Sequence, residues 1–172
     1  MESGSPSFAD VALPHLDAAY NLARWLMGRS DEAEDVVQDA MVRALTYFPT
    51  FRGVNARAWL LQIVRNTAYS ALGAKKLVRL EPIAMSSEGE SALADPGDTP
   101  ETALLRARDR RALDDLLARL PVELRETIVL RELEEMSYRD IAQVTEAPIG
   151  TVMSRLWRAR QLLAAAAQKA KP

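Results

Sequence analysis

The chain has 172 residues, of which 48% are hydrophobic and 27% charged, and its formal net charge is −2. This composition is that of a globular protein and excludes wholesale disorder. With no cysteine and one histidine, the chain cannot form disulfides or thiolate metal sites, and it has little material for a histidine-based zinc site or triad. No apolar run approaches membrane-spanning length, and the N-terminus lacks the basic-then-apolar plan of a signal peptide. We therefore expect a cytosolic protein without membrane insertion.

The charges are unevenly distributed along the chain. Residues 77–100 contain one cation and five acids, whereas residues 147–172 contain five cations and no acid. Because neutralisation of phosphates by cations supplies most non-specific affinity for DNA, such a chain is expected to bind DNA weakly by itself. It would need a partner that brings it to DNA.

The first elements read as helices. Apolar residues at helical steps predict a helix over residues 10–27, ended by Gly28. A second helix is predicted to start at Ser30 or Asp31, with Asp31 and Glu34 as a pair resembling a capping box. Its predicted buried stripe comprises Val37, Ala40, Met41, Ala44, Leu45 and Phe48. Its other side carries Asp35, Gln38, Asp39 and Arg43, and on spacing alone this is an ordinary solvated face.

A loop over residues 49–55 separates this helix from the next. In it, Phe51 stands beside Arg52, and the pair could hold an unpaired base by stacking. Phe51 could equally be a hydrophobic plug. Gly53 permits unusual backbone angles, and Asn55 is a good cap for a helix over Ala56 to about Leu72. Away from its buried side, this helix carries Arg57, Arg65, Asn66 and Tyr69.

From about Leu80 to Asp98 the sequence is rich in Ser, Glu, Pro and Gly and lacks periodicity, which predicts a flexible acidic linker. Thr99 and Pro100 then restart a helix, and another runs from Pro121 to about Glu135. The predicted inward residues of these two helices include Leu105, Leu113, Leu116, Leu117, Leu120 and Leu133. Since no segment alternates as a strand would, the chain is predicted to be all-α.

The segment from Ser137 to Arg160 predicts a helix, a tight turn and a longer helix. Ser137 can cap the first helix with Asp140 as reciprocal partner, and Pro148 separates it from a helix beginning near Ile149. The longer helix has an apolar back and a front of Thr151, Ser154, Arg155 and Arg158. Hydroxyl and guanidinium groups can contact phosphates and base edges in the DNA major groove, as in a helix-turn-helix. The alternative is an amphipathic helix with a solvated basic face.

No catalytic constellation is apparent. The sequence has no Gly-rich phosphate loop, no nucleophile elbow and no cluster at metal-ligand spacing. We therefore expect no enzymatic activity, no cofactor and no metal.

Three segments carry a family resemblance. They are DEAEDVVQDAMVRAL over 31–45, ARAWLLQIVRNTA over 56–68, and the stretch from Leu120 to Arg160 that includes GTVMSRLWRAR. In this order they resemble regions 2 and 4 of bacterial extracytoplasmic-function sigma factors. The resemblance implies two small helical domains, region 2 over 10–76 and region 4 over 101–168, joined by a flexible acidic linker over 77–100.

The resemblance also implies partners and sites for a bacterial cytoplasmic protein. Core RNA polymerase would bind through the clamp coiled coil of its largest subunit and the flap of its second-largest subunit, and an anti-sigma factor would regulate the chain. The polymerase-binding residues would be Asp31, Asp35, Gln38, Asp39 and Arg43. The −10 promoter element would bind Phe51, Arg52, Gly53, Val54, Asn55, Arg57, Arg65, Asn66 and Tyr69. The −35 element would bind Arg139, Thr151, Ser154, Arg155 and Arg158.

Two positions depart from the family pattern. Met153 stands where the family often has lysine, and Glu146 stands at a turn position that often holds glycine. A non-glycine residue there is mildly costly if the backbone is left-handed. Two other hypotheses stay open from sequence: a stand-alone helix-turn-helix regulator that uses residues 10–76 for oligomerisation or sensing, and a helical adaptor that does not bind DNA.

Overall fold

A computed structural model describes residues 4–76, Gly97 and residues 99–171. Across these residues all regular secondary structure is helical, which confirms the all-α prediction. Apart from Gly97, Thr99 and Pro100, the predicted linker lies outside the described residues. The helices are α1 (Phe8–Ala12), α2 (Leu16–Met27), α3 (Ser30–Tyr47), α4 (Ala56–Lys76), α5 (Pro100–Ala118), α6 (Val122–Glu132), α7 (Tyr138–Thr145) and α8 (Ile149–Lys169).

The helix predicted over residues 10–27 is divided in two. A 3₁₀ turn over Leu13–His15 separates α1 from α2, and it contains Pro14, whose ring and missing N–H disfavour a continuous α-helix. The Ser7 hydroxyl accepts the Asp10 N–H at 3.2 Å and caps α1. Gly28 ends α2 in the left-handed conformation, with φ of 80°, and its N–H donates to the Arg24 carbonyl oxygen at 2.8 Å.

Helices α2, α3 and α4 pack against one another around buried leucine, valine and alanine side chains. Two details of α3 differ from prediction. Arg29 stands at the N-cap without a side-chain capping bond, and Asp31 pairs with Arg29 at 3.2 Å. Leu45 is 57% exposed, so its placement in the buried stripe was wrong. The buried positions are Ala33, Val36, Val37, Ala40 and Ala44, and Leu45 is rotated about 100° from Ala44.

Helices α6, α7 and α8 form the second bundle, with α5 packed on α8. Thr99 caps α5 as predicted, because its hydroxyl accepts the Thr102 N–H at 3.2 Å. The inward placement of Leu105, Leu113 and Leu133 was wrong, since all three are exposed. Leu105 and Leu113 lie on α5, in which Leu117 is buried, whereas Leu133 is the C-cap residue of α6 and lies beyond the helix itself.

The two bundles are in contact. Helix α4 packs on α7, and α2 packs on α6, so buried apolar residues of both bundles form one contiguous core. This placement of the halves brings polar side chains of α4 against polar side chains of α6 and α7.

Candidate functional site

The five residues predicted to bind polymerase lie together on the solvent side of α3. Asp31, Asp35, Gln38, Asp39 and Arg43 are all exposed. Three of them line a shallow cleft between α3 and α4, together with Thr67 and Ser70. The sequence analysis missed two apolar neighbours on this side, Val42 and Leu45, which are both exposed. Val42 lies four residues after Gln38 and Leu45 lies seven residues after it, and these helical spacings were the available signal.

The loop after α3 carries the first part of the predicted −10 site. The Phe51 ring is half-buried and packs on Trp59, with ring centroids 4.8 Å apart, and on Phe48 at 6.3 Å. The next three residues, Arg52, Gly53 and Val54, are exposed. Gly53 adopts a positive φ of 75°, as its flexibility predicted. The packing supports the plug interpretation of Phe51 and leaves part of its ring accessible.

Asn55 connects the two halves of the chain. Its Oδ1 accepts the Ala58 N–H at 3.1 Å, so it caps the N-terminus of α4 as predicted. Its Nδ2 donates to Asp140 Oδ1 at 2.7 Å. Asp140 therefore uses its carboxylate across the interface, and the predicted reciprocal capping box with Ser137 is only half formed: the Ser137 hydroxyl accepts the Asp140 N–H at 3.1 Å.

Of the remaining −10 residues, Arg57, Arg65 and Tyr69 lie on the face of α4 that meets the other half of the chain. Arg65 donates to both carboxylate oxygens of Glu126, Nε to Oε2 at 3.0 Å and Nη2 to Oε1 at 3.2 Å. The two side chains are 14% and 0% exposed. Arg57 donates to the Glu134 carboxylate at 3.2 Å and to the Glu134 carbonyl oxygen. The Arg65 guanidinium also lies 4.0 Å from the centroid of the Tyr69 ring.

Burial dominates the electrostatics of this contact. It raises the pKa of the Glu126 carboxyl, although Arg65 acts in the opposite direction. It also raises the pKa of the Tyr69 hydroxyl, and the Glu126 charge adds to that effect. Carboxylates of the other half of the chain therefore face two arginines of α4 that the resemblance assigns to −10 DNA.

Arg125 is a buried residue that the sequence analysis missed. It is 3% exposed, and its Nη1 donates to the Trp25 carbonyl oxygen of α2 at 2.9 Å. Its Nη2 donates to the Leu120 carbonyl oxygen at 3.3 Å. Burial lowers the pKa of the Arg125 guanidinium. The available signal was its position next to Leu124 and three residues before Ile128, which are both buried.

The predicted −35 residues divide into an open set and a half-buried set. Arg139, Ser154 and Arg158 are exposed, whereas Thr151 and Arg155 are half-buried. Burial raises the pKa of the Glu126 carboxyl, and Arg155 is close enough for its charge to oppose that rise. Among the described residues, the buried Nη1 of Arg155 has no hydrogen-bond partner.

The two residues that depart from the family pattern are Glu146, in the turn before α8, and Met153, on the exposed side of α8. Glu146 adopts a left-handed conformation with φ of 53°, which meets the condition stated for its cost. Its Oε1 accepts from Gln62 Nε2 at 2.8 Å. Met153 is exposed, and so is Trp157 four residues on, which the sequence analysis did not single out.

Comparisons with known proteins find two regions of one protein family in this chain. The family model for Sigma-70 region 2 matches residues 12–77, and that for Sigma-70 region 4 matches residues 110–163. The RNA polymerase sigma-H factor of Pseudomonas aeruginosa is 39% identical over 146 residues, 81% of this chain and 75% of the relative. The chain belongs to the extracytoplasmic-function (ECF) family of RNA polymerase sigma factors. The region 2 match spans α2–α4, and the region 4 match runs from within α5 to within α8.

Other relatives extend the comparison. The ECF RNA polymerase sigma-E factor of Haemophilus influenzae is 36% identical over 140 residues, 77% of this chain and 73% of the relative. The sigma factor RpoE of Bartonella quintana, solved in complex with the anti-sigma factor NepR, superposes with a TM-score of 0.68 at 29% identity. That match covers 92% of this chain and 95% of the solved chain.

None of the described helices combines the length and apolar character needed to cross a membrane. Within the described part of the chain, no three His, Asp or Glu side chains come together as metal ligands would.

Proposed function

We propose that this chain is an ECF sigma factor that binds core RNA polymerase, directs it to specific promoters and helps to melt the −10 element. The observation that carries the proposal is the presence of regions 2 and 4 in family order on one chain. It is supported by the exposure of all five residues that the resemblance assigns to polymerase and of Arg139, Ser154 and Arg158 among those assigned to −35 DNA.

Polymerase binding is assigned to two surfaces. The acidic side of α3 suits the clamp coiled coil of the largest subunit, because exposed Val42 and Leu45 add apolar contact area beside Asp35 and Asp39. The flap of the second-largest subunit is assigned to an apolar cleft of region 4. That cleft is lined by Leu113, Leu117, Ile128, Val129, Leu133 and Leu163, with Glu132 and Arg160 at its edge.

Promoter binding is assigned to two other surfaces. The loop from Phe51 to Val54 and the α4 face with Arg57, Arg65, Asn66 and Tyr69 would hold the unpaired −10 strand. Helix α8 and Arg139 would contact the −35 element in the major groove. Holding an opened base on the protein lowers the cost of unstacking, which is a few kcal/mol.

The α4 part of the −10 surface is covered in this arrangement of the chain, whereas Arg52, Gly53 and Val54 of the loop are exposed. Full strand capture therefore includes an opening step. Glu126 and Glu134 occupy the guanidinium groups of Arg65 and Arg57, which a DNA phosphate would otherwise contact. The −10 strand can reach these groups only after α4 separates from α6 and α7. Regulation by an anti-sigma factor is supported by the similarity to RpoE, which was solved bound to NepR.

Run-off transcription with core polymerase tests the proposal. The wild-type chain should direct transcripts from a subset of promoters in its own genome, and the Asp35→Asn/Asp39→Asn variant should lose both core binding and transcript. Glu34→Gln serves as the matched control, because Glu34 is an exposed acid of α3 outside the assigned set.

The same assay separates the proposal from its competitor. A chain that yields no promoter-dependent transcript, yet binds one duplex at nanomolar concentration without polymerase, would be a stand-alone regulator instead. In that case the Asp35→Asn/Asp39→Asn variant would still function.

A further inference from the structure

Helix α8 carries two parallel rows of exposed side chains. The buried residues Val152, Leu156 and Ala159 define its inner side. On its outer side, Ser154 and Arg158 lie four residues apart and form a polar row. The neighbouring row comprises Ile149, Met153 and Trp157, also at four-residue steps, and these side chains are 45%, 53% and 64% exposed.

The apolar row is not explained by packing within the described part of the chain. Three large apolar side chains in line on an exposed helix indicate a contact surface, because isolated apolar residues are common but contiguous ones mark binding sites. The partner must also accept cations, since Arg158 is exposed in the adjacent row and residues 147–172 contain no acid. The major groove of duplex DNA meets both demands, because thymine methyl groups lie beside hydrogen-bond acceptors and phosphates.

The following inference rests on the proposed function. We propose that Met153, flanked by Trp157, contacts the 5-methyl group of a thymine in the −35 element. This contact makes the chain select thymine at that position. Met153 lies in the second turn of α8, and the N-terminal part of a recognition helix is the part that reaches base edges. Its unbranched thioether side chain is apolar and adaptable, and it cannot donate a hydrogen bond to a guanine. The lysine common at this position in the family would favour a phosphate or a guanine instead.

The test uses holoenzyme made from core polymerase and the full chain. Transcription from a template library with a randomised −35 segment first identifies the preferred sequence. Each thymine of that sequence is then replaced by deoxyuridine, which lacks only the 5-methyl group. At one position, the wild type should lose about fourfold in transcript, the factor expected for one buried methyl group.

Two variants assign this loss to a residue. Met153→Ala should transcribe the thymine and deoxyuridine templates equally, because the methyl contact is already absent. Leu162→Ala is the matched control: it truncates an exposed apolar side chain elsewhere on α8, and the wild-type difference between the templates should persist.

The outcomes are distinguishable. If the wild type transcribes both templates equally, or selects no thymine, the inference about Met153 is wrong while the proposed function stands. If Met153→Ala lowers core binding and leaves the template difference intact, the apolar row is a protein-binding surface and the inference is again wrong. If no template supports transcription, the proposed function itself fails.

Discussion

We assign arginines on two surfaces of the chain to DNA binding, and these two surfaces differ in what the arginines contact. On α4, Arg57 and Arg65 are paired with Glu134 and Glu126 of the other half. On α8, Arg158 is exposed. The two surfaces cannot be told apart by residue type, so their availability depends on what each faces in the folded chain. If the proposed assignments hold, Arg158 can contact the −35 element from this arrangement, whereas Arg57 and Arg65 must first leave their carboxylate partners to contact −10 DNA.

The largest expected effect comes from removing the buried carboxylate at the centre of the covered surface. Glu126→Ala removes both oxygens that accept hydrogen bonds from the partly buried Arg65 guanidinium, which should cost the closed arrangement about 3 kcal/mol. The halves should therefore separate. Because the chain lacks cysteine, dyes can be placed on Thr46→Cys and Gln168→Cys to follow the distance between halves by energy transfer.

A second glutamate on α6 provides the control for this prediction. Glu132 forms an ion pair with Arg160 at 2.8 Å, but both side chains are about half exposed and belong to the same half. Glu132→Ala should cost less than about 1 kcal/mol and leave the distance unchanged. If Glu126→Ala also leaves it unchanged, the ion pair does not hold the halves together. The double variant Arg65→Ala/Glu126→Ala should close more readily than Glu126→Ala alone.

The next effect concerns the open surface. Arg158→Ala should reduce −35-dependent transcription by an amount equivalent to about 1–3 kcal/mol and relax the preference at one base pair, provided that Arg158 contacts a base. Arg155→Ala should lower transcription less in this assay, because Arg155 is half-buried and close to Glu126. Transcription from templates that vary at each −35 position measures both. A larger loss from Arg155→Ala would mean that α8 reads DNA through the side that faces the interface.

The sequence predicted helices and local caps well because their causes are local. Asn55, Thr99 and Gly28 act at helix ends through bonds to residues within four positions of themselves, and the structure confirms all three. It could not predict the covered surface. The partners of Arg65 and Arg57 are 61 and 77 residues away in sequence, and no periodicity within α4 indicates that a carboxylate would face them.

The burial of individual apolar residues could be predicted less well than the helix caps but better than the covered surface. Leu45 and Leu133 satisfied a helical spacing, but the core takes a narrower stripe than spacing alone indicates. Whether the edge of a stripe is buried depends on which helix lies against it. That information is tertiary, and it also decides that Met153 and Trp157 are exposed while Arg155 is half-buried.

A smaller effect is expected at Asn55, which both caps α4 and forms a hydrogen bond to Asp140 of the other half. Asn55→Ala removes the cap of α4 and places alanine at φ of 47°, so it should cost about 0.5–2 kcal/mol of stability. Asn55→Asp keeps an acceptor for the Ala58 N–H but sets a second carboxylate against Asp140. It should therefore loosen the halves with less loss of stability. Thermal unfolding and the dye distance, measured on both variants, distinguish the two roles.

The smallest effect is a pH dependence of closing. The pKa of Glu126 is raised above its ordinary value of 4.5 in the closed arrangement because of burial, with Arg65, Arg155 and Tyr69 as its charged or titratable neighbours. The closed form thus holds this proton more tightly than an opened form would. Closing is most favourable below pH 4.5 and weakens as pH rises through the raised pKa. The dye distance in Glu126→Gln should lack this component, since glutamine does not titrate. A wild-type distance with the same pH profile as Glu126→Gln would show that Glu126 is not the group responsible.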